Sequence, residues 1–407
     1  MKSVNLSPIP FSPPRIDNKT IAEVTATLQS GWITTGPRVK EFEKRIAQYV
    51  RVEKVLCINS ASAGLELILR WFGVQEGDEV IVPAYTYCAT ANVVVHCGAK
   101  PVMVDVNSDD CNINIQNVEK AITEKTKVII PVDFAGFPCN YDELNHLVNV
   151  ENIKQKFSPR TLEQKQLGRI LILSDAAHSI GAIYKGKRTG ALTDITVFSF
   201  HAVKNLTTAE GGAICLNLPA SFNQEEIYKE LCTKSLHGQS KDALSKTQIG
   251  NWRYDVCEAG YKCNMTDILA AIGLVELERY ENDMLIKRKH IFDTYTDAFS
   301  KDERFEIPVY QTKTKISSYH VYPLRIKNIT EKERDAIIQQ IALQNISVNV
   351  HFIPLPMLSF YKNAGYNIDD FPIAYQNYAR EISLPVYYDL TDEQMNYIID
   401  VFLEILI

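Results

Sequence analysis

Seven short, almost continuously apolar runs recur between residues 54 and 217, separated by helix-patterned or polar segments. The pattern predicts strands over Lys54–Ser60, Glu79–Pro83, Lys100–Val106, Lys127–Asp133, Arg169–Asp175, Asp194–Phe200 and Gly212–Asn217. Helices are expected at Ala61–Phe72, from Tyr87 to about His96, and at Ile115–Ile122. Runs with no polar alternation suit strands covered on both faces, and helices between them suit parallel crossovers. The expected fold class is therefore α/β, a mostly parallel central sheet flanked by helices, with ligands at the carboxyl ends of the strands.

Beyond about residue 264 the pattern changes. Met265–Ser300 reads as two long helices with a bend near Tyr280–Asp283. It is followed by a strand (His320–Ile326), a helix (Lys332–Leu343), a strand (Ser347–Phe352) and helices at Ile373–Ile382 and Thr391–Leu406. Thr391 with Gln394 fits a capping box. This predicts a large α/β domain over residues 1–250 and a smaller α+β domain over 251–407. The charged stretch Val150–Gly168 reads as a solvated surface loop.

Several functions are disfavoured. Lys plus Arg number 43 against 49 Asp plus Glu, a net charge of −6, so a general nucleic-acid surface is not expected. No apolar run approaches the roughly 18 residues of a membrane span, and the proline-rich start lacks the apolar core of a secretory signal. The nine cysteines form no C-x-x-C pair and the eight histidines no H-x-x-x-H, so no metal site is expected. These features predict a cytoplasmic protein with reduced thiols. No G-x-G-x-x-G follows a strand, which removes support for a nicotinamide dehydrogenase.

The chemistry concentrates in four places. Lys204 lies in a short loop between two strands, five residues after Ser199 and ahead of Glu210-Gly211-Gly212. A lysine that forms an imine must be kept off water, though a loop lysine is more often a solvated charge. Asp175 ends a buried run, where a carboxylate faces a ligand, and His178 follows three positions on. Ser60-Ala61-Ser62-Ala63-Gly64 sits at a strand-to-helix junction, where free N–H groups and the helix dipole bind anions; an ordinary cap is the plainer alternative. Tyr87 opens a small-residue segment and is placed either to stack on a planar ligand or to fill the core.

Each element alone is weak; their order is specific. Together with Gly31-Trp32-Ile33-Thr34-Thr35-Gly36-Pro37, Gly98-Ala99-Lys100-Pro101, Ser174-Asp175-Ala176-Ala177-His178, Phe198–Gly212, Gly260–Asp267, Val348–Phe352 and Ser383-Leu384-Pro385, the chain resembles the DegT/DnrJ/EryC1/StrS nucleotide-sugar aminotransferases, fold-type-I enzymes dependent on pyridoxal 5′-phosphate. There are departures. The family often has Ser-Gly-Thr where this chain has Ser60-Ala61-Ser62, and a tyrosine where this chain has Phe352. Val150–Gly168 is longer than usual.

The resemblance implies that Lys204 holds pyridoxal 5′-phosphate and that Asp175 pairs with its ring nitrogen. It implies that Ser62, Ser199 and the Ala63 backbone contact the phosphate, with Asn264 reaching it from a partner subunit. Tyr87 and His178 would contact the ring. Thr35 and His320 are expected at the substrate. The implied reaction moves an amino group from L-glutamate to a nucleotide-linked keto sugar in a homodimer with shared sites. The Trp32–Pro37 motif favours a 4-keto-6-deoxy sugar. Two alternatives stay open: a cyclitol aminotransferase on the same scaffold, and a non-catalytic binder of the cofactor or a nucleotide sugar.

Overall fold

Strands form where the apolar runs lie. The computed structural model describes residues 7–241 and 252–406. In chain order the strands are β1 (Lys54–Ile58), β2 (Glu79–Pro83), β3 (Lys100–Val104), β4 (Thr126–Ile129), β5 (Leu171–Asp175), β6 (Ile183–Tyr184), β7 (Lys187–Arg188), β8 (Ile195–Ser199) and β9 (Gly212–Leu216). They continue with β10 (Phe305–Glu306), β11 (Lys315–Ile316), β12 (Tyr322–Ile326) and β13 (Glu381–Leu384). The central sheet runs β1-β9-β8-β5-β4-β2-β3. Only β9 is antiparallel to its neighbours; the other pairings are parallel. The architecture is thus the expected α/β fold with a mostly parallel sheet.

Alternation along β8 and β9 divides the interior. Val197 and Ile214 join a core that packs Leu65, Ile68 and Ile129 on one side. Phe198, Ala213 and Cys215 point the other way, toward Phe42, Tyr295, Leu384 and Phe402. The second core joins an N-terminal helix to the C-terminal segments, so the two halves of the chain share packed surface. Arg169 and Asp194 reinforce the junction of β5 and β8 with a buried bidentate ion pair, both bonds at 2.7 Å, just before the two strands begin and so at the end opposite Asp175 and Ser199.

The parallel order brings Asp175 at the end of β5 beside Val197 in β8, and Ser199 opposite Gly212 in β9. A side chain at 212 is sterically barred: a Cβ there would lie 2.7 Å from the Ala61 nitrogen and 2.9 Å from the Phe198 oxygen. Glycine thus lets β9 pass directly against the start of the helix Ala61–Trp71.

The C-terminal helices follow the pattern closely. Asp267–Arg279 and Leu285–Phe299 are joined by a π-type turn over Tyr280–Met284. The capping box at Thr391 forms, with Gln394 Oε1 accepting from the Thr391 N–H at 3.0 Å. Two expectations need correction. Ser347–Phe352 is not a strand; only Asn349 bridges to Ser383, because the segment peels from the sheet edge toward the cleft. Val150–Gly168 lies at the surface, with most of its residues exposed, but it is not an irregular loop. It forms helices Glu151–Lys154 and Leu162–Leu167 and sends Ile153 and Phe157 into the first core. Its Gln164 Nε2 donates to the buried Phe72 carbonyl at 2.8 Å, and its Ser158 carbonyl accepts from Lys127 Nζ of β4 at 2.7 Å.

Candidate active site

The strand-end residues converge on one cleft of about 360 Å³. Its lining includes Ser60, Ala61, Ser62, Tyr87, Asp175, Ala177, His178, Ser199, Lys204, His351 and Phe352, gathered from segments far apart in sequence.

Asp175 lies on the floor, 6% exposed. Thr90 Oγ1 donates to its Oδ2 at 2.8 Å and the Ala177 N–H to its Oδ1 at 3.2 Å. Thr86 Oγ1 lies 3.0 Å behind Thr90 and completes a short hydroxyl chain. Burial pushes the Asp175 carboxyl above the ordinary range, against the pull of Thr90, the Ala177 N–H and Lys204. A carboxylate in that state gains most from a cationic partner.

Lys204 follows β8 in a turn closed by its own N–H donating to the His201 carbonyl at 2.9 Å. Burial pulls its amine down from 10.5 to about 8, with Asp175 opposing the shift. An amine so placed exchanges its proton near neutral pH. His178 is also buried, and burial, Lys204 and His351 hold it neutral, well below its usual range. Its Nδ1 meets no hydrogen-bond partner among the described residues.

The helix start at Ala61 is capped by Ser60. The Ser60 backbone is extended and its Oγ accepts the Ala63 N–H at 3.2 Å. The Ala63 backbone donor is thus engaged by the cap. The N–H groups of Ala61 and Ser62 are the first-turn donors on the cleft wall, together with the Ser62 hydroxyl. Ser199 lies at the wall too, 7% exposed, with its Oγ 3.4 Å from the His201 nitrogen. Tyr87 precedes the helix Ala89–His96 by two residues and is 60% exposed, so it is not a core aromatic.

These pieces fit pyridoxal 5′-phosphate. The capped helix start suits the phosphate, the exposed Tyr87 ring suits a planar heterocycle, the buried carboxylate suits a protonated ring nitrogen, and the unpartnered His178 Nδ1 suits a ring hydroxyl.

His320 and Thr35 do not line this subunit's cleft, and neither does Asn264, which is expected at a partner's site. His320 stacks behind His178 with ring centroids 4.2 Å apart, and its Nδ1 is 2.7 Å from Asn205 Oδ1. It is 6% exposed. Thr35 and Asn264 meet each other instead of this subunit's cleft. Asn264 Nδ2 donates to Thr35 Oγ1 at 2.6 Å, and Asp267 accepts the Arg38 and Val39 N–H groups. The N-terminal loop and the Gly260–Asp267 segment thus form one unit on the outer surface of β1.

Thr90 and His351 are functional candidates to which the sequence assigned no role, and Phe352 stood there only as a departure from the family's tyrosine. Thr90 carries a faint signal, one helical turn beyond Thr86 and buried; the role of His351 depends on a contact 32 residues away.

A profile of the DegT/DnrJ/EryC1/StrS aminotransferase family matches residues 14–155 and 160–403. Among solved structures, a Streptococcus pneumoniae protein assigned as a sugar aminotransferase superposes in its PMP form with a TM-score of 0.94. It shares 49% identity and covers 98% of each chain. Its PLP form gives a TM-score of 0.93 at 47% identity, again over 98% of both chains. The spore coat polysaccharide biosynthesis protein SpsC of Bacillus subtilis is 35% identical over 96% of this chain and 95% of its own.

Proposed function

Because the chain belongs to the DegT/DnrJ/EryC1/StrS aminotransferase family, whose members use pyridoxal 5′-phosphate, we propose that it transfers the amino group of L-glutamate to a nucleotide-linked keto sugar, of the 4-keto-6-deoxy class. The observation that carries this reading is the half-buried Lys204 and the buried Asp175 carboxylate lining one cleft with the helix start at Ala61. Bound there, the cofactor supplies an electron sink for carbanion chemistry.

The chain's own residues supply the rest. Lys204 Nζ holds the cofactor and, when free, moves the proton of the transfer. Asp175, braced by Thr90, keeps the ring nitrogen protonated. Ser62, Ser199 and the open N–H groups of Ala61 and Ser62 hold the phosphate. His178 Nδ1 orients the ring hydroxyl. A cleft of about 360 Å³ is at the small end of ligand pockets, so a nucleotide sugar needs further wall. The Thr35–Asn264 unit of a partner subunit is suited to provide it, which supports a homodimer with shared sites. The names of the pneumococcal and spore-coat relatives support a role in amino-sugar or surface-polysaccharide synthesis.

The test is a mass-spectrometric screen of UDP-, GDP- and dTDP-linked keto sugars with glutamate. An aminated product formed together with 2-oxoglutarate is expected. Glutamate turnover with no product from any keto sugar would overturn the reading.

A further inference from the structure

A buried polar chain lies behind the cleft wall, outside the groups that the proposed reaction uses. Glu381 and Ser383 are two apart in β13 and so share a face. Asn349 pairs with Ser383 across the edge of that strand, with the Ser383 N–H donating to the Asn349 carbonyl at 2.7 Å. The antiparallel register then sets His351 against Glu381. The His351 N–H donates to Glu381 Oε2 at 2.9 Å. Ser383 Oγ donates to Glu381 Oε1 and lies 2.8 Å from His351 Nδ1. Glu381 is 1% exposed and Ser383 0%.

The His351 ring is held from other sides as well. Phe11 stacks on it with centroids 5.7 Å apart, and Tyr85 Oη donates to its carbonyl at 2.6 Å. His351 lines the cleft, and with Nδ1 engaged by Ser383 the nitrogen left to face a ligand is Nε2.

We propose that the Glu381–Ser383–His351 chain is a positioning device that decides whether His351 offers the cleft a lone pair or an N–H. The directions are forced by donor and acceptor capacity. An ionised Glu381 only accepts, so Ser383 donates to it, Ser383 Oγ accepts from His351 Nδ1–H, and Nε2 presents a lone pair. A protonated Glu381 keeps one oxygen accepting the His351 backbone N–H and donates through the other. Ser383 then donates to Nδ1, and Nε2 carries the hydrogen. In the first state Nε2 accepts from a sugar hydroxyl; in the second it donates to a phosphate or carbonyl oxygen.

The surroundings allow both states. Burial pushes Glu381 up to about 8, against the pull of the Ser383 hydroxyl, the His351 N–H, Arg334 and Arg325. Neither guanidinium is spent on its carboxylate: Arg325 pairs with Glu306, and Arg334 with Asp335 and the Glu381 carbonyl. Cys111 and Tyr85 face the same carboxylate, and burial raises both, so they stay neutral. Burial, then Lys204, holds His351 down to about 3, so its ring stays neutral while Glu381 titrates.

The effect on substrate rests on the function proposed above; the tautomer does not. The experiment is side-chain ¹⁵N NMR on the full-length, cofactor-bound protein labelled at histidine, with no substrate present and with His351→Gln to assign the signal. The two ring nitrogens of His351 are expected to exchange their protonated character with a midpoint near pH 8. Glu381→Gln locks the Nε2–H form, because its amide oxygen must accept the His351 N–H and its NH₂ must donate to Ser383. Ser383→Ala abolishes the step near pH 8, and Ser383→Thr restores it. Above pH 8, Glu381→Gln is also expected to raise KM for the keto sugar about five- to tenfold, more than it lowers kcat, as loss of one hydrogen bond requires. An unchanged tautomer in Glu381→Gln overturns the proposal, and so does a changed tautomer with unchanged KM. No amination of any keto sugar by the wild type would count against the proposed activity instead, while the tautomer result still decides the role of the chain.

Discussion

Replacing Lys204 with methionine removes a charge that the folded chain holds at a cost. An unfolded lysine keeps its proton up to about pH 10.5, whereas burial brings Lys204 down to about 8. Between those values the unfolded state binds more protons than the native state, so stability rises with pH across the window. Below pH 8 the penalty is complete. At about 1.4 kcal/mol per pH unit it comes to about 3 kcal/mol. Above pH 10.5 the lysine is neutral in both states and the penalty is gone. Methionine has nearly the same reach and no charge. Cofactor-free Lys204→Met is therefore expected to be about 3 kcal/mol more stable than wild type at pH 7, and the gain should vanish by about pH 10.5. Urea denaturation of the two cofactor-free proteins at several pH values measures this directly. A gain below about 1 kcal/mol at pH 7, or a gain that does not shrink as pH rises, would refute the reasoning. The predicted trade follows from function, because an amine poised near neutral pH has to be a poorly solvated one.

Asp175→Ala is expected to lower the rates of both half-reactions about 10²- to 10³-fold, the scale of losing one partner of a buried charged pair; single-turnover kinetics with glutamate alone tests it, and near-normal rates would assign Asp175 another role. Thr90→Val removes a hydrogen bond to that carboxylate, worth about 1.5–3 kcal/mol, and should raise the Asp175 pKa further and lower kcat about ten- to a hundredfold. Arg169→Leu strands the buried Asp194 carboxylate and should cost about 3–5 kcal/mol in chemical denaturation, while a wild-type midpoint would show that the pair is solvated. Mixing inactive Lys204→Ala with inactive Asn264→Ala under subunit exchange should restore activity in the mixed dimer, whereas full activity of a monomer at nanomolar concentration would exclude shared sites.

Much of the fold was legible because its signals are short-ranged. The apolar run Ile170–Leu173 leads into Ser174 and Asp175, and the strand Leu171–Asp175 is buried along its length. The break near Tyr280 shows in the pattern and appears as the π-type turn. Where local reading failed, the deciding partner lay far away. Val150–Gly168 looks like a loop because its polar groups are visible, while the Phe72 carbonyl that holds the buried Gln164 is 92 residues distant. Ser347–Phe352 has strand composition, yet only one bridge forms, since His351 turns toward the cleft. Nothing local in the sequence shows that His320 stacks behind His178.

The sequence by itself determined the alternation of strands and helices, the strand-end position of Asp175, the loop position of Lys204 and the helix start at Ser60. Periodicity, capping and turn chemistry all act within a few residues. Tertiary structure alone decided which donors remain for a ligand, because Ser60 consumes the Ala63 N–H and leaves those of Ala61 and Ser62. It decided that Thr90 braces Asp175 across 85 residues, and that Glu381 and Ser383 hold His351 across about 30. It also decided how far the Lys204, Asp175 and Glu381 protons are displaced from their ordinary affinities. The physical reason is that sheet order and register choose which distant side chains meet, and burial at those meeting points sets the cost of charge.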